Sequence, residues 1–157
     1  MSNIFGNQHW PIIALAFFGI LAYIAWNRWQ DRRQIEKRFG LDNVLAMSFG
    51  VYYYGNATDS GRPRRISGFF LLLPGCIYFC SRRAKLEIEI PFKCIGRVYH
   101  GSTLKDVDLH QSVVKIDFLN RRQHKDTAAF KMPYPPQWIQ MIGNKIVADN
   151  ENYLTDN

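Results

Sequence analysis

Two histidines and two aspartates lie close together in the second half of the chain, and these residue types are the first candidates for chemistry. His100 and His110 flank a polar segment that contains Asp106 and Asp108. Imidazole and carboxylate groups act as acid–base pairs or as metal ligands in many sites. No nucleophile elbow, phosphate-binding loop or metal-binding helix motif accompanies them, so we interpret them as polar loop residues. The sequence therefore predicts no catalytic residues and a protein that is not an enzyme.

Three cysteines are the second candidates, because thiolates bind metals and form disulfides. Cys76 and Cys80 are separated by three residues, unlike the closer pairs of common zinc sites, and no histidine lies near them. Together with Cys94 they make an odd number in a segment that we expect to be cytoplasmic, where thiols stay reduced. We therefore expect thiols packed as small apolar side chains, with no metal ion and no cofactor.

Basic residues form the third group, in a chain whose net charge is +7. They concentrate at three predicted turns: Arg62, Arg64 and Arg65; Arg82, Arg83 and Lys85; and Arg121, Arg122 and Lys125 with His124. A guanidinium group forms paired hydrogen bonds with phosphate oxygens, and each basic residue near an anionic leaflet contributes about 1 kcal/mol of attraction. We expect lipid or partner binding at five of these residues: Arg62, Arg64, Arg65, Arg82 and Arg83.

Two alternatives to lipid binding follow from the same charge. Basic residues are also ordinary at solvated turns, where they only keep a protein soluble. Nucleic acid is the other possible polyanion, but no nucleic-acid-binding motif is present, so we expect no nucleic-acid partner.

The elements that must position these residues begin with an apolar segment near the N-terminus. Residues 11–25 are apolar without interruption, and Trp10 and Trp26 bracket them. A helix over this length would extend about 25 Å, at the short end for a bilayer core. The sequence therefore predicts a transmembrane helix over residues 10–26, preceded by a short external tail over residues 1–9.

Basic residues follow this segment and none precede it. Five of them lie on a predicted helical stalk over residues 27–40: Arg28, Arg32, Arg33, Lys37 and Arg38. The positive-inside rule therefore predicts an external N-terminus and a cytoplasmic C-terminal domain. A cleaved signal peptide would carry its charges before the apolar segment and a small-residue cleavage site after it, and this chain shows the opposite pattern.

From Phe49 onward the apolar pattern changes to the period of two that is typical of strands. Seven short segments are predicted as strands: residues 49–54, 66–73, 76–80, 85–90, 95–99, 113–119 and 127–132. Residues 137–148 then place apolar side chains at helical spacing, and residues 149–157 are predicted as a flexible tail. The consecutive Tyr52, Tyr53 and Tyr54 cannot all face inward, so at least one is expected to be exposed.

This order of seven antiparallel strands and one C-terminal helix resembles the pleckstrin-homology (PH) superfold. Residues 68–79 resemble a hairpin of GRAM and bacterial PH-like domains, and residues 86–98 resemble the step that follows it. Residues 129–142 resemble the last strand and the capping helix of those domains. The resemblance implies a mainly-β PH/GRAM-like domain over residues 41–148, with a partly open barrel of strands behind a single-pass transmembrane helix.

The resemblance also implies a function, because members of this family mostly bind lipids, peptides or proteins and share no catalytic residues. In many of them, basic residues of the first hairpin loop contact lipid, and Arg62, Arg64 and Arg65 occupy the matching segment. We therefore expect a membrane-anchored, non-enzymatic binding or scaffold module at the cytoplasmic face. Its expected partners are anionic membrane lipids and an integral membrane protein or complex.

A structural accessory subunit of a larger integral membrane complex is the alternative function. Small residues permit close packing between transmembrane helices. The apolar segment contains four that we expect to form such a face: Ala14, Ala16, Gly19 and Ala22.

Overall fold

A computed structural model describes residues 10–155 of the chain. The predicted external tail over residues 1–9, and residues 156–157, lie outside the described residues. The chain divides into two compact units between Leu41 and Asp42.

The first unit is one continuous helix, α1 (Trp10–Phe39). It ends where Gly40 adopts a φ of +71° and its amide donates a 3.0 Å hydrogen bond to the carbonyl oxygen of Glu36. Glycine is favoured at this position because it has no Cβ to oppose a left-handed backbone. The predicted span and the predicted stalk are therefore two parts of a single helix. Its length and composition suit a membrane span, a test that an N-terminal signal sequence also passes.

The second unit is a seven-stranded antiparallel sheet followed by a helix. The strands run in the order β4-β3-β2-β1-β7-β6-β5, so that β1 is central and β4 and β5 form the edges. Their bounds are β1 (Ala46–Asn56), β2 (Ile66–Leu72), β3 (Cys76–Ser81), β4 (Leu86–Pro91), β5 (Ile95–Leu104), β6 (Val107–Leu119) and β7 (Lys125–Lys131). The C-terminal helix is α2 (Pro135–Thr155), and short 3₁₀ turns occupy Leu41–Asn43 and Phe92–Cys94.

Aromatic side chains fill the core between the curled sheet and α2. The ring of Phe130 lies 5.2 Å from those of Tyr53 and Phe70 and 5.6 Å from that of Phe79, between centroids. Trp138 of α2 reaches the same cluster, 5.3 Å from Phe70. The alternation predicted for β4, β6 and β7 places its apolar members in or against this core, as does the helical spacing of α2. The predicted fold class is confirmed.

The largest differences from the predicted element boundaries lie in α2 and in the β5–β6 hairpin. The helix α2 extends to Thr155, seven residues beyond the predicted end at Ala148, because no glycine or proline follows to stop it. The first seven residues of the predicted flexible tail, 149–155, therefore belong to α2.

The larger difference is a hairpin where residues 100–112 are predicted as a loop. Here β5 continues to Leu104 and β6 begins at Val107, joined by Lys105 and Asp106 with φ of +54° and +58°. Left-handed backbone at both positions is typical of a tight two-residue hairpin turn. Opposite β5, the four residues 109–112 form a bulge between the pairs Gly101↔Val113 and Thr103↔Asp108.

The bulge bends the hairpin over the outer face of the sheet, as bulges do when they break a strand's pairing. Leu104 and Val113 consequently pack with Tyr54 and Ala129 in a second buried cluster, separate from the main core. We call this set the outer cluster. Tyr53 belongs to the main core and Tyr54 to the outer cluster, so β1 is covered on both faces.

Candidate binding surface

Three basic turns lie at one end of the sheet. The strand β1 is antiparallel to β2 and β7, β2 to β3, and β7 to β6, so β1, β3 and β6 all run in the same direction. The connections that follow these three strands therefore emerge at the same end, which we call the basic end. Its arginines are all exposed: Arg62, Arg64, Arg65, Arg82, Arg83, Arg121 and Arg122. The topology thus gathers three clusters that are separate in the sequence.

The β1–β2 loop, residues 57–65, is anchored at its start to β7. The amide of Ala57 donates to the carbonyl oxygen of Thr127 over 2.8 Å. The carboxylate of Asp126 accepts hydrogen bonds from the hydroxyl and the amide of Thr58, at 2.7 and 3.1 Å. Asp126 is only 5% exposed, so these bonds satisfy a buried charge as well as hold the loop.

The far side of the same loop is held by β1 and by the hairpin. The amide of Arg64 donates to the carbonyl oxygen of Tyr54 over 3.1 Å. The Lys105 ammonium donates to the carbonyl oxygens of Asp59 and Gly61, at 2.5 and 3.1 Å. Gly61 has a φ of +86°, a left-handed conformation that glycine adopts without strain. The loop that carries the first basic cluster is therefore fixed at both ends.

The three consecutive tyrosines are more covered than the sequence predicts. Tyr53 and Tyr54 are buried, and Tyr52 is half-buried with the Arg65 guanidinium 3.7 Å above its ring centroid. The expected exposed tyrosine is absent because the folded-back hairpin covers Tyr54. Burial raises the pKa of Tyr53, and the Asp59 and Asp126 charges raise it further. Burial also raises the pKa of Tyr54, and the nearby Arg65 charge partly opposes this rise.

A groove of about 550 Å³ lies beside the basic end, and none of the predicted site residues lines it. Its walls include the basic residues Lys93, Arg97 and Lys125 and the carboxylates of Asp117 and Asp126. Both carboxylates are engaged within the protein. Asp117 accepts from the Thr127 and Tyr99 hydroxyls at 2.7 and 3.2 Å, and Asp126 holds the loop as described. Sequence reasoning missed this groove because its walls come from four separate segments of the chain.

Three of the four candidate residues, His100, Asp108 and His110, make local hydrogen bonds within the hairpin. The imidazole of His100 is hydrogen-bonded to the Ser112 hydroxyl. Asp108 accepts a 2.8 Å bond from the amide of His110, whose ring lies 3.3 Å from the other carboxylate oxygen. Both side chains are more than half exposed. Within residues 10–155, no three histidine, cysteine or acidic side chains come together as metal ligands.

Within residues 10–155, the three cysteines form no disulfide. Cys80 is buried, and Cys76 and Cys94 are partly buried. Burial raises the pKa of the Cys76 thiol to about 11, and the neighbouring Glu89 charge adds to the rise. The Cys76 thiol is therefore protonated at neutral pH and is a poor nucleophile.

On α1, the predicted juxtamembrane basic residues are all exposed: Arg28, Arg32, Arg33, Lys37 and Arg38. The Arg33 guanidinium lies 4.0 Å from the centroid of the Trp29 ring, which packs 5.3 Å from Trp26. The four small residues Ala14, Ala16, Gly19 and Ala22 are exposed too. At about 100° per residue they spread over roughly 200° of the helix circumference, so they do not form one narrow stripe.

The curled, partly open seven-stranded sheet with a C-terminal helix defines a PH-like fold. No protein-family model matches the sequence, and no curated protein matches it. Among solved structures, the chain is similar to the Vps36 N-terminal PH domain, with a TM-score of 0.48 and 12% identity over 71% of this chain and 81% of that one. It is also similar to the C-terminal domain of an unknown protein from Leishmania infantum, with a TM-score of 0.47 and 10% identity over 66% and 84%. At these identities the similarity concerns the fold alone.

Proposed function

We propose that this protein is a membrane-anchored, non-enzymatic binding module whose basic end contacts anionic lipid at the cytoplasmic face. The observation that carries the proposal is the gathering of three exposed arginine clusters at one end of the sheet. Each basic residue close to an anionic leaflet contributes about 1 kcal/mol, so the clusters together supply a useful attraction.

The anchor in this proposal is the apolar part of α1. Every side chain from Trp10 to Trp26 is exposed, which suits contact with lipid. Trp26 and Trp29 fit the interfacial belt, and the basic residues that follow them fit the cytoplasmic side. A tether keeps the local concentration of the membrane surface high, so contacts that are individually weak suffice.

A non-catalytic role is supported by the hydrogen bonds that the polar side chains make within the protein. The carboxylates of the groove accept internal hydrogen bonds, and both hairpin histidines make hydrogen bonds within the hairpin. The exposed arginines of the basic end offer charged hydrogen-bond donors. This combination favours reversible binding of an anion over the making or breaking of bonds.

Lipid binding is tested with the full chain held in nanodiscs of phosphatidylcholine and mixed with separate vesicles. We expect it to bind vesicles that contain phosphatidylserine, to release them as salt rises, and to ignore phosphatidylcholine vesicles. Replacing Arg62, Arg64 and Arg65 together with Ala is expected to weaken binding about 100-fold, from about 1 kcal/mol per residue. The matched control replaces Lys115, Lys131 and Lys145, which carry the same charge away from the basic end. Equal loss in both triple variants, or binding that ignores phosphatidylserine, would overturn the proposal.

The orientation is tested separately by protease digestion of sealed vesicles. We expect the domain of residues 42–157 to be cleaved in inside-out vesicles and protected in right-side-out vesicles. The reverse pattern would place the domain outside and contradict a role at the cytoplasmic face.

The accessory-subunit alternative relies on the same helix. The wide spread of its four small residues gives this alternative no single packing face, so we rank it second. Purification from native membranes in mild detergent separates the two. Integral membrane subunits that co-purify in fixed ratio would favour the alternative, and a lone monomer would favour the binding module.

A further inference from the structure

We propose that Lys105 is a positioning residue, which holds the β1–β2 loop in the conformation that presents Arg62 and Arg64. The inference rests on the proposed function of the basic end. Lys105 belongs to a different hairpin, more than 40 residues away in the chain, so the contact is long-range.

The contact joins the Lys105 ammonium to two backbone carbonyl oxygens of the β1–β2 loop, and we call it the clasp. The Lys105 ammonium donates to two carbonyl oxygens of the loop, those of Asp59 and Gly61, at 2.5 and 3.1 Å. Hydrogen bonds that involve a charged donor are about twice as strong as neutral ones. These two acceptors lie three residues and one residue before Arg62, so the contact fixes the backbone that leads into the first basic cluster.

The clasp is anchored because the hairpin beneath Lys105 is packed. Its neighbour Leu104 is 2% exposed and Val113 is fully buried, both against Tyr54 of β1. The Gln111 amide donates to the Tyr54 hydroxyl, which ties the bulge to the same strand. Lys105 therefore projects from a hairpin that is packed against β1. Its ammonium is held in place and can fix the position of the loop.

Two other contacts hold the loop and do not involve Lys105. Thr58 is bound to Asp126 at the start of the loop, and Arg64 is bound to β1 at its end. Removing the Lys105 ammonium should consequently loosen the middle of the loop without unfolding the sheet. The middle contains Gly61, which has little intrinsic preference for one backbone conformation.

Hydrogen exchange followed by mass spectrometry, on the full chain in phosphatidylcholine nanodiscs, measures this directly. We expect Lys105→Met to speed exchange within residues 58–65 at least tenfold and to leave β3 and β7 unchanged. Lys105→Arg keeps the charge and the donors, so it should retain protection. Lys145→Met is the matched control, since it removes the same charge from α2. Unchanged exchange in Lys105→Met, with retained thermal stability, would overturn the clasp.

Binding to phosphatidylserine vesicles then tests whether the clasp serves the basic end. We expect Lys105→Met to weaken binding several-fold more than Lys145→Met does, and Lys105→Arg to restore it. A loosened loop with unchanged binding would overturn the positioning role. If the wild-type protein ignores phosphatidylserine, the proposed function fails, while the exchange measurement still decides whether the clasp exists.

Discussion

The two faces of β1 are built in different ways. Tyr53 faces the main core, which every strand and α2 help to cover, whereas Tyr54 faces the outer cluster beneath one bent hairpin. Both side chains are about equally buried, at 4% and 5% exposure. The two tyrosines are therefore equally buried by different means. Many elements surround the main core, but a single bent hairpin covers the outer cluster.

Phe79→Ala in the main core should have the largest effect on stability. Phe79 is fully buried, and its ring lies 5.6 Å from those of both Tyr53 and Phe130. Removing such a ring from a core that is closed on all sides costs about 4 kcal/mol in the free energy of unfolding. Chemical denaturation in detergent, followed by the fluorescence of the buried Trp138, measures the loss. A loss below about 1 kcal/mol would show that the core is loosely packed.

Tyr54→Ala in the outer cluster should cost less, about 2 kcal/mol, because the edge hairpin can settle into the gap. The change should also be local. We expect faster hydrogen exchange in residues 104–113, while the strands of the main core keep their protection. Loss as large as that of Phe79→Ala, spread over the whole sheet, would mean that the two faces form one cooperative core.

Ionisation of the two tyrosines distinguishes the faces most finely. Burial raises both pKa values above the ordinary 10.0; nearby carboxylates raise that of Tyr53 further, and the Arg65 charge opposes the rise at Tyr54. As pH rises we expect Tyr54 to ionise before Tyr53, seen as tyrosinate absorbance and assigned with Tyr53→Phe and Tyr54→Phe. Each hydroxyl keeps its proton longer in the folded state, so stability falls as pH rises past about 10. The opposite order of ionisation would contradict this difference between the faces.

Much of the main core is predictable from the sequence. The alternation in Leu86–Pro91 and the helical spacing of Trp138 and Ile142 identify buried positions, because each pattern has the period of its element. The basic turns are likewise visible as clusters. That they share one end of the sheet is not visible, since it depends on the directions of strands paired far apart in the chain.

The outer cluster and the Lys105 contact escape prediction for a different reason. Tight hairpin turns are recognised by Asn-Gly or Asp-Gly, whereas Lys105 and Asp106 adopt left-handed backbone without a glycine. The bulge at residues 109–112 interrupts the alternation of apolar and polar residues that identifies a strand. Polar residues such as His110 and Ser112 therefore suggest a loop. The contact between Lys105 and the β1–β2 loop is a tertiary contact, and local sequence patterns do not predict such contacts.

The central position of β1 has a consequence for how the chain is made. Its partner β2 follows within ten residues, but β7 begins about 70 residues after β1 ends. At typical rates of synthesis, about 5 to 20 residues per second, one edge of β1 stays unpaired for roughly 3 to 14 s after β1 has been made. During that interval the open edge could pair with a neighbouring nascent chain. The folding of this domain is therefore most prone to intermolecular pairing in the interval between the synthesis of β1 and that of β7.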